Sequence, residues 1–460
     1  VNVLLIYPNM GVVTGEPPIG IGYLTACLKA KGIPVGVVDT TFHPSFDRIE
    51  SAIRKDAPDI VGIYSSTVML KDAVRTARLA KELGTRLVVL GGPHVSVEPE
   101  STLTGSLADA AVIGEAEYSF PLLVDSFLKG KSLAELADLP NTAVKIDGVV
   151  RWNGKRHYID DLDSLPHPDR DVFDMRKYMA RWFQLDGVSS NLRGTNIYTT
   201  RSCPFSCAFC QPTLKTMFGH KIRRRSPVHI AGELRLLKDK YGVNAVQIVD
   251  DLLFTDESYI EGFCRELIRS GVGTVWGGQS RIDTVPDDRI LSLSRQAGLR
   301  LMCLGIESAT QRILDLYKKG IRLTDVKRVI DRIRAQGIKT RGYFIIGAPT
   351  ETAEDIERTI DLAVGLRLDE AAFSILTPFP GTHMNDIARD RGWEINRDWN
   401  YDHYYKKGGF LNEVLSDEQI RRYQRLAFLK FYLHPHRLPY VVHSALNPLK
   451  AIAKFKCYLS

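Results

Sequence analysis

No apolar run in this sequence approaches the ~18–20 residues that a membrane-spanning helix needs. The opening Val1-Asn2-Val3-Leu4-Leu5-Ile6 reads as a strand and not as a charged-then-apolar leader, and the two absences together point to a cytosolic protein. Cysteine is scarce, seven in 460 residues. Cys27, Cys264, Cys303 and Cys457 stand singly in apolar contexts as inert core thiols, which argues against a disulfide framework. No Gly-x-Gly-x-x-Gly follows the first strand, so a nucleotide dehydrogenase would lack its phosphate turn. Acidic residues are missing after Glu418, whereas Arg421, Arg422, Arg425, Lys430, Arg437, Lys450, Lys454 and Lys456 contribute +8 there, leaving −1 of the net +7 for the rest of the chain. A basic, aromatic tail suits a membrane surface, a nucleic acid or an acidic partner. Its aromatics alternate with aliphatics and mark no stacking platform, which disfavours nucleic acid. With 44% hydrophobic and 25% charged residues, the composition is that of a globular protein of two or three domains.

What the chain does have is a group of three cysteines, Cys203, Cys207 and Cys210, spaced Cys-x₃-Cys-x₂-Cys directly after the apolar run Asn196–Thr200. Thiolates hold the irons of iron–sulfur clusters, and a four-iron cluster with three protein ligands keeps one iron open to a small molecule. The other readings are a structural zinc knuckle or cysteines that merely pack. Closed zinc sites want four ligands, usually in Cys-x₂₋₄-Cys pairs, so the spacing favours the cluster.

The segment Cys203-Pro204-Phe205-Ser206-Cys207-Ala208-Phe209-Cys210 resembles the signature of radical S-adenosylmethionine enzymes. The resemblance implies a [4Fe–4S] cluster whose unique iron binds S-adenosylmethionine, reductive cleavage to a 5′-deoxyadenosyl radical, an external flavodoxin-like or ferredoxin-like electron donor, and packing of Phe209 near the adenine.

The first 130 or so residues repeat a short apolar strand and a helical stretch. Strands read at Val3–Tyr7, Val35–Asp39, Ile60–Ser65, Leu87–Leu90 and Ala111–Ile113, with helical patterns at Gly22–Lys31, Leu70–Leu83 and Ser119–Leu128. This predicts a doubly wound, Rossmann-like α/β domain over residues 1–138, with its ligand at the carboxyl ends of the strands. The loops there are Ser65-Ser66-Thr67, Gly91-Gly92-Pro93-His94 and Gly114-Glu115-Ala116-Glu117, rich in glycine and small hydroxyls that let a ligand approach the backbone. Glycine turns also serve close helix packing, so each loop alone is a weak signal. Together with Pro17-Pro18-Ile19-Gly20-Ile21-Gly22-Tyr23-Leu24 they resemble the cobalamin-binding domain that precedes the radical domain in one branch of the family. That branch includes the anaerobic Mg-protoporphyrin ester cyclase, lipid-modifying enzymes and antibiotic methylases. The resemblance implies cobalamin contacts at Ser65, Ser66, Thr67, Gly91, Gly92, Pro93, His94, Gly114 and Glu115. No Asp-x-His-x-x-Gly occurs, so the implied cobalamin is base-off without a histidine ligand, and His94 is expected to hydrogen-bond near the corrin or the backbone.

From residue 139 to 193 the alternation breaks at Pro140, Pro166 and Pro168, with a short hairpin around Asp147-Gly148, which reads as a linker. Strands resume at Asn196–Thr200, Ala245–Val249, Val275–Gln279, Leu301–Ile306, Arg341–Ile346 and Ala372–Leu376. They predict a partial (β/α)6 barrel over 194–384 with reactive groups at the carboxyl ends. S-adenosylmethionine needs acceptors for its ammonium and ribose, a cation for its carboxylate and an apolar slot for adenine. Asp250 or Asp251, Glu307, Arg281 and Phe209 supply these types, and Gly347 lies in the turn after the fifth strand. The usual Gly-Gly-Glu of the family is replaced by Val249-Asp250-Asp251-Leu252. The competing roles are a helix cap for either aspartate and a structural salt bridge for Glu307 and Arg281.

Residues 385–460 read as a mainly helical, basic C-terminal region. Trp393, Trp399, Tyr401, Tyr404 and Tyr405 suit a lid or substrate wall, or plain packing. Leu449, Ile452, Phe455 and Leu459 fall on one side of a last helical stretch with Lys450 and Lys454 opposite, as in an interfacial helix or any docked surface helix. The expectation is a radical methylase of a small molecule or lipid, cytoplasmic and peripheral at the inner membrane surface. An oxidative cyclase or rearranging enzyme with the same cofactors is the alternative, and a cobalamin carrier or electron-transfer protein the reading from another class. A methylthiotransferase would need three more cluster cysteines where only Cys27 is present.

Overall fold

A computed structural model of the chain describes residues 2–210, 213–393, 395, 399–400, 412–445, 448 and 450. Its first sheet has seven strands: β1 (Val3–Tyr7), β2 (Val35–Asp39), β3 (Ile60–Tyr64), β4 (Leu87–Gly91), β5 (Ala110–Val112), β6 (Thr142–Ile146) and β7 (Val149–Trp152), in the order β2-β1-β3-β4-β5-β6-β7. Strands β1 to β5 are parallel. Strand side chains alternate between faces, so Val3 and Leu5 join one core with Leu28, Phe120 and Leu123, while Leu4 and Ile6 join another with Ile49, Ile53 and Ala77. Both faces are therefore dry, covered by the helices Ile19–Ala30 and Ala116–Leu128 on one side and Phe46–Asp56 and Leu70–Glu82 on the other. Each aliphatic side chain buried this way contributes roughly 1.5–3 kcal/mol. The strand order reverses direction between β1 and β3, which opens a crevice at their carboxyl ends.

The hairpin expected inside the linker is present, and it belongs to this sheet. Strand β6 pairs antiparallel with β5 and β7 with β6. Positive φ at both Asp147 (50°) and Gly148 (80°) gives the tight turn whose twist matches the strands.

The second sheet is a parallel half-barrel: β8 (Gly194–Ile197), β11 (Ala245–Ile248), β12 (Val275–Arg281), β13 (Leu299–Glu307), β14 (Lys339–Ile346) and β15 (Glu370–Ile375), hydrogen-bonded in that order. Between β8 and β11 a two-stranded antiparallel piece, β9 (Thr200–Arg201) and β10 (Arg223–Arg224), closes the neck of the cysteine loop. The helix Asp417–Tyr432 packs on β15 and on the helix Ala353–Gly365, through Phe428, Phe431 and Phe373. The fold class is the expected one, a Rossmann-like domain, a partial barrel and helices after it.

The connecting segment is far from a solvent loop. Trp182 is fully buried against Gly194 at the start of β8, where any Cβ would clash with the indole. Arg170 enters the barrel wall and pairs with Glu233 at 3.0 Å, both side chains 1% exposed.

In the C-terminal region Trp399 packs on Val68, Met69 and Phe379, and Trp393 on the group around Tyr317 and Met384, the packing reading for these two. Tyr401, Tyr404, Tyr405, Leu449, Ile452, Lys454, Phe455, Lys456, Cys457 and Leu459 lie outside the described residues. The basic tail needs one correction. Lys450, assigned to an exposed polar face, is 4% exposed and donates to the carbonyls of Ser190 (3.2 Å) and Leu192 (3.0 Å). Arg437 is likewise buried, capping the end of the helix Ala353–Gly365 through Leu366 O at 2.7 Å.

Candidate functional site

The crevice of the first domain is lined by backbone held in place by its own small residues. Ser65 N donates to Gly91 O at 2.7 Å and His94 N to Ser65 O at 3.0 Å, so the turns after β3 and β4 are locked together. Gly92 sits at φ 113°, with the space for a Cβ only 2.9 Å from Ser65 O, so no other residue fits. Ser96 Oγ donates to Gly92 O at 2.7 Å and accepts from Gly114 N at 2.9 Å, tying in the turn after β5. His94 is buried, its Nδ1 3.1 Å from Thr67 Oγ1, and burial lowers its pKa, which keeps the ring neutral at pH 7. Ser66 is also buried, and Pro93 begins the short helix Pro93–Val97. Ser65 Oγ is buried with no hydrogen-bond partner among the described residues. An orphan hydroxyl beside a glycine-lined crevice at the switch point suits a large planar cofactor that brings its own polar groups.

Glu115 departs from this set. It is 2% exposed and points to the second domain, where both its oxygens accept from Arg201 and Arg223 of the barrel.

The cysteine loop runs between β9 and β10. Ser202 turns the chain at φ 83° and donates from Oγ to Gly219 O at 2.6 Å. Ala208 N donates to Tyr317 O at 2.8 Å, Met384 N to Ala208 O at 2.9 Å, and Cys210 N to Cys207 O at 3.1 Å. These bonds leave Cys203 and Cys207 half-buried and Cys210 exposed. Burial and the fields of Asp251 and Cys207 raise the Cys203 pKa, and Cys203, Cys207 and Asp251 all act electrostatically on Cys210. Thiolates grouped on one loop are the donor set by which irons are held. Arg281 adds a guanidinium, donating from Nη1 to Cys207 Sγ at 3.3 Å while stacked 3.7 Å above the Phe205 ring. Among the described residues no three His, Cys, Asp or Glu side chains close on a single point as ligands of one ion do. A cluster asks instead for three separate iron corners.

Around the barrel mouth the two aspartates divide. Asp250 is fully buried and spent on the end of β8, accepting from Thr199 N at 2.6 Å and from Thr199 Oγ1. Asp251 is half-buried and faces the cysteines, its pKa pushed up to about 7 by burial and by Asp250. Arg281 is held by Asp283 through two bonds of 2.8 Å. Glu307 occupies φ 70°, unusual for a side-chain-bearing residue, and accepts from Lys319 Nζ at 2.7 Å, each side chain 6% exposed. Glu307 and Arg281 are thus each held in an ion pair. A Cβ on Gly305 would lie 2.6 Å from both Lys319 Nζ and Glu307 Oε1, so the glycine makes room for the pair. Phe209 lies edge-on to Tyr317 at 5.1 Å, in an apolar group with Ala208, Ile313, Ala348 and Leu376, beside the turn at Gly347 (φ 87°).

Sequence reasoning missed three residues here. Lys319 adds a second cation beside Arg281, 5.9 Å from the Phe209 ring. Glu351 accepts from Gly347 N (2.5 Å) and Ala348 N (3.0 Å), and burial pushes its pKa up to about 7. Tyr317 OH and Glu351 Oε1 are both buried without a hydrogen-bond partner among the described residues. The available signal was a carboxylate four residues after Gly347, at the distance of a loop-bracing cap.

A B12 binding domain model matches residues 11–124 and a radical SAM superfamily model residues 197–363. An uncharacterized methyltransferase from Pyrococcus horikoshii is 33% identical over 430 residues, covering 92% of this chain and 89% of that protein. The chain belongs to the B12-binding radical SAM family. The anaerobic magnesium-protoporphyrin IX monomethyl ester cyclase of Rubrivivax gelatinosus is 30% identical over 467 residues, covering 94% of this chain and 82% of the cyclase. In fold, the radical S-adenosylmethionine methyltransferase TsrM from Kitasatospora setae, solved with cobalamin and a [4Fe–4S] cluster, superposes with a TM-score of 0.71 at 19% identity, over 84% of this chain and 78% of TsrM. The two matched domain models are thus those of B12 binding and of the radical SAM superfamily, and the TsrM structure of the same fold holds cobalamin and a [4Fe–4S] cluster.

Proposed function

We propose that this family member is a cobalamin-dependent radical methyltransferase that places a methyl group on an unactivated carbon of a small molecule or lipid. The observation that carries the reading is the match to a methyltransferase along nearly the whole of both chains. The bound groups would supply a carbon-centred radical and a methyl carrier. The chain's own part is to hold and shield them. Cys203, Cys207 and Cys210 would hold the cluster, with Arg281 donating to Cys207 Sγ. Asp251, Glu307 and Lys319 offer acceptors and a cation to S-adenosylmethionine, and Phe209 an apolar wall. The turns Ser65–Thr67, Gly91–His94 and Gly114 would cradle the corrin; the chain has no Asp-x-His-x-x-Gly motif to offer it a histidine, and His94 is buried with Nδ1 3.1 Å from Thr67 Oγ1. An oxidative cyclase with the same cofactors is the second reading, supported by the likeness to the magnesium-protoporphyrin cyclase.

The test is anaerobic: reconstitute the chain with iron, sulfide and hydroxocobalamin, and add reductant and S-adenosylmethionine with a deuterated methyl group. Labelled methylcobalamin together with S-adenosylhomocysteine is the expected result. 5′-Deoxyadenosine with unmethylated cobalamin would overturn the methylase in favour of the cyclase class.

The finer setting belongs to the same proposal: a cytoplasmic enzyme, served by a flavodoxin- or ferredoxin-type donor and resting on an anionic membrane surface. Among the described residues no helix is long and apolar enough to cross a membrane. Leu429, Leu433, Leu438 and Val442 are 55%, 62%, 44% and 64% exposed along the C-terminal helices and the turn between them, and Arg422 and Arg425 are exposed two turns and one turn before Leu429. An apolar stripe with flanking arginines suits an anionic bilayer. Flotation with anionic but not neutral vesicles at low salt is expected, and flotation unchanged in a Leu429→Ser, Leu433→Ser variant would overturn the assignment.

A further inference from the structure

The loop that carries the cysteines is anchored at both ends by a carboxylate of the other domain. Strand β9 pairs with β10, Arg201 opposite Arg223, so the loop leaves and returns at one point. At that point Glu115 Oε1 accepts from Arg201 Nη1 at 2.6 Å, and Oε2 accepts from Arg223 Nη1 at 2.7 Å and from Ile159 N at 2.8 Å. Arg201 reaches on to Glu117, and Arg223 donates to Ile159 O and Phe218 O, each at 2.6 Å. Glu115, Arg201 and Arg223 are 2%, 8% and 5% exposed. Charges buried this deeply are tolerated only when every partner is in place, and removing one partner leaves the others uncompensated. The arrangement is therefore rigid.

The same carboxylate is one residue from the crevice. Gly92 O, Ser96 Oγ and Gly114 N form consecutive hydrogen bonds, and Glu115 follows Gly114 directly. In the other direction Arg201 is followed by Ser202, pinned by Gly219 O, and then by Cys203. The space beside Gly114 is closed by Met217 O, 3.3 Å from its Cβ position, so the return limb of the loop lies against the crevice turn itself.

We infer that Glu115 is a positioning residue for the cysteine loop, and that through Gly114, Ser96 and Gly92 it makes the cluster respond to what occupies the crevice of the first domain. The assignment of the two cofactors rests on the proposed function; the clamp itself rests on the contacts above.

The experiment uses the full chain, reconstituted anaerobically with iron and sulfide, as wild type, Glu115→Gln, Glu115→Asp and the exposed control Glu100→Gln. The readouts are the electron-spin spectrum of the reduced cluster, with and without hydroxocobalamin, and the rate of iron loss to a chelator. Glu115→Gln is expected to shift the g-values and to lose iron about tenfold faster, the scale on which partners that orient metal ligands act. Glu115→Asp recovers part of the loss, and the control is unchanged. Hydroxocobalamin changes the wild-type spectrum and leaves that of Glu115→Gln unaltered. A wild-type spectrum and wild-type iron loss in Glu115→Gln would overturn the positioning role, and a wild-type cluster insensitive to bound hydroxocobalamin would overturn the coupling. Should Glu115→Gln not fold, Arg201→Lys, which keeps the charge but cannot bridge Glu115 and Glu117, must show the same shift, and a wild-type spectrum there counts against the clamp. If the wild type binds no hydroxocobalamin at all, the proposed function fails, while the iron-loss comparison still decides the role of Glu115.

Discussion

Lys319 Nζ lies 2.7 Å from Glu307 Oε1 inside the barrel mouth, and Gly305 is the residue that leaves space for the contact. Glu307 ends β13 at a positive φ, so its side chain is turned into the mouth by the backbone rather than by rotamer choice. Breaking a buried pair by removing one member costs about 3–5 kcal/mol because the other charge remains without compensation. Lys319→Met is therefore expected to lower stability by that order in denaturant titration, and to weaken the change that S-adenosylmethionine induces in the spectrum of the reduced cluster. Gly305→Ala, which removes no charge, should give the second effect by crowding the pair. An unchanged S-adenosylmethionine response in both variants would make the pair a purely structural one.

Glu351 carries a pH dependence of definite sign. Burial pushes its pKa up to about 7 from the model-compound 4.5, so between those values the folded protein holds a proton that the unfolded chain has lost. Stability from this group is then fully present below pH ~4.5 and declines as pH rises through ~7. The shift corresponds to about 3 kcal/mol. Glu351→Gln keeps an acceptor for Gly347 N and Ala348 N, and it places an amide donor where Oε1 has no partner among the described residues. It should be more stable than wild type at pH 8 and indistinguishable from it near pH 5. Thermal unfolding at the two pH values checks this, and a variant less stable at pH 8 would mean that the ionised carboxylate is the native form.

His94 and Gly92 should separate cleanly in cobalamin binding. The chain lacks the Asp-x-His-x-x-Gly motif and His94 is buried with Nδ1 at Thr67, so His94→Ala is expected to leave the cob(II)alamin electron-spin spectrum unchanged, and a loss of nitrogen splitting in the variant would make His94 a ligand. Gly92→Ala must either abandon φ 113° or push Ser65 O away, at a cost of order 1–3 kcal/mol, and should abolish hydroxocobalamin uptake seen by absorbance. Uptake surviving in Gly92→Ala would show that the turn is not part of the cradle.

Much of the fold was legible because it depends on local patterns. Short β-branched runs such as Val3–Ile6 can only be strands buried on both faces, and the strand bounds from the pattern agree with β1 and β2 at both ends and with most of the others to within two residues. The three cysteines were legible because their spacing is a chemical statement in itself. Contacts between residues distant in sequence were not. Glu115 looks like a crevice residue from its neighbours Gly114 and Ala116, and only the fold brings Arg201 and Arg223 to it. Lys450 looks like the polar face of a surface helix, yet it reaches two carbonyls of the connecting segment.

Asp250 and Asp251 are adjacent in sequence and opposite in consequence. Asp250 accepts two hydrogen bonds from Thr199, one from the backbone at 2.6 Å, and has no exposed edge, so Asp250→Ala leaves buried donors unpaired at a cost of about 1–3 kcal/mol. Asp251 is half-buried and acts electrostatically on Cys203 and Cys210, and on the proposed function its carboxylate would receive the ammonium or ribose of S-adenosylmethionine. Asp251→Asn should therefore fold normally, take up iron normally, and bind S-adenosylmethionine about tenfold or more weakly, in keeping with the loss of a charge-assisted bond of about 1.5–3 kcal/mol. Equilibrium dialysis with labelled S-adenosylmethionine, run beside denaturant titration, reads both effects. If Asp250→Ala is the variant that loses affinity while keeping stability, the division of labour between the two carboxylates is the reverse of the one their hydrogen bonds indicate.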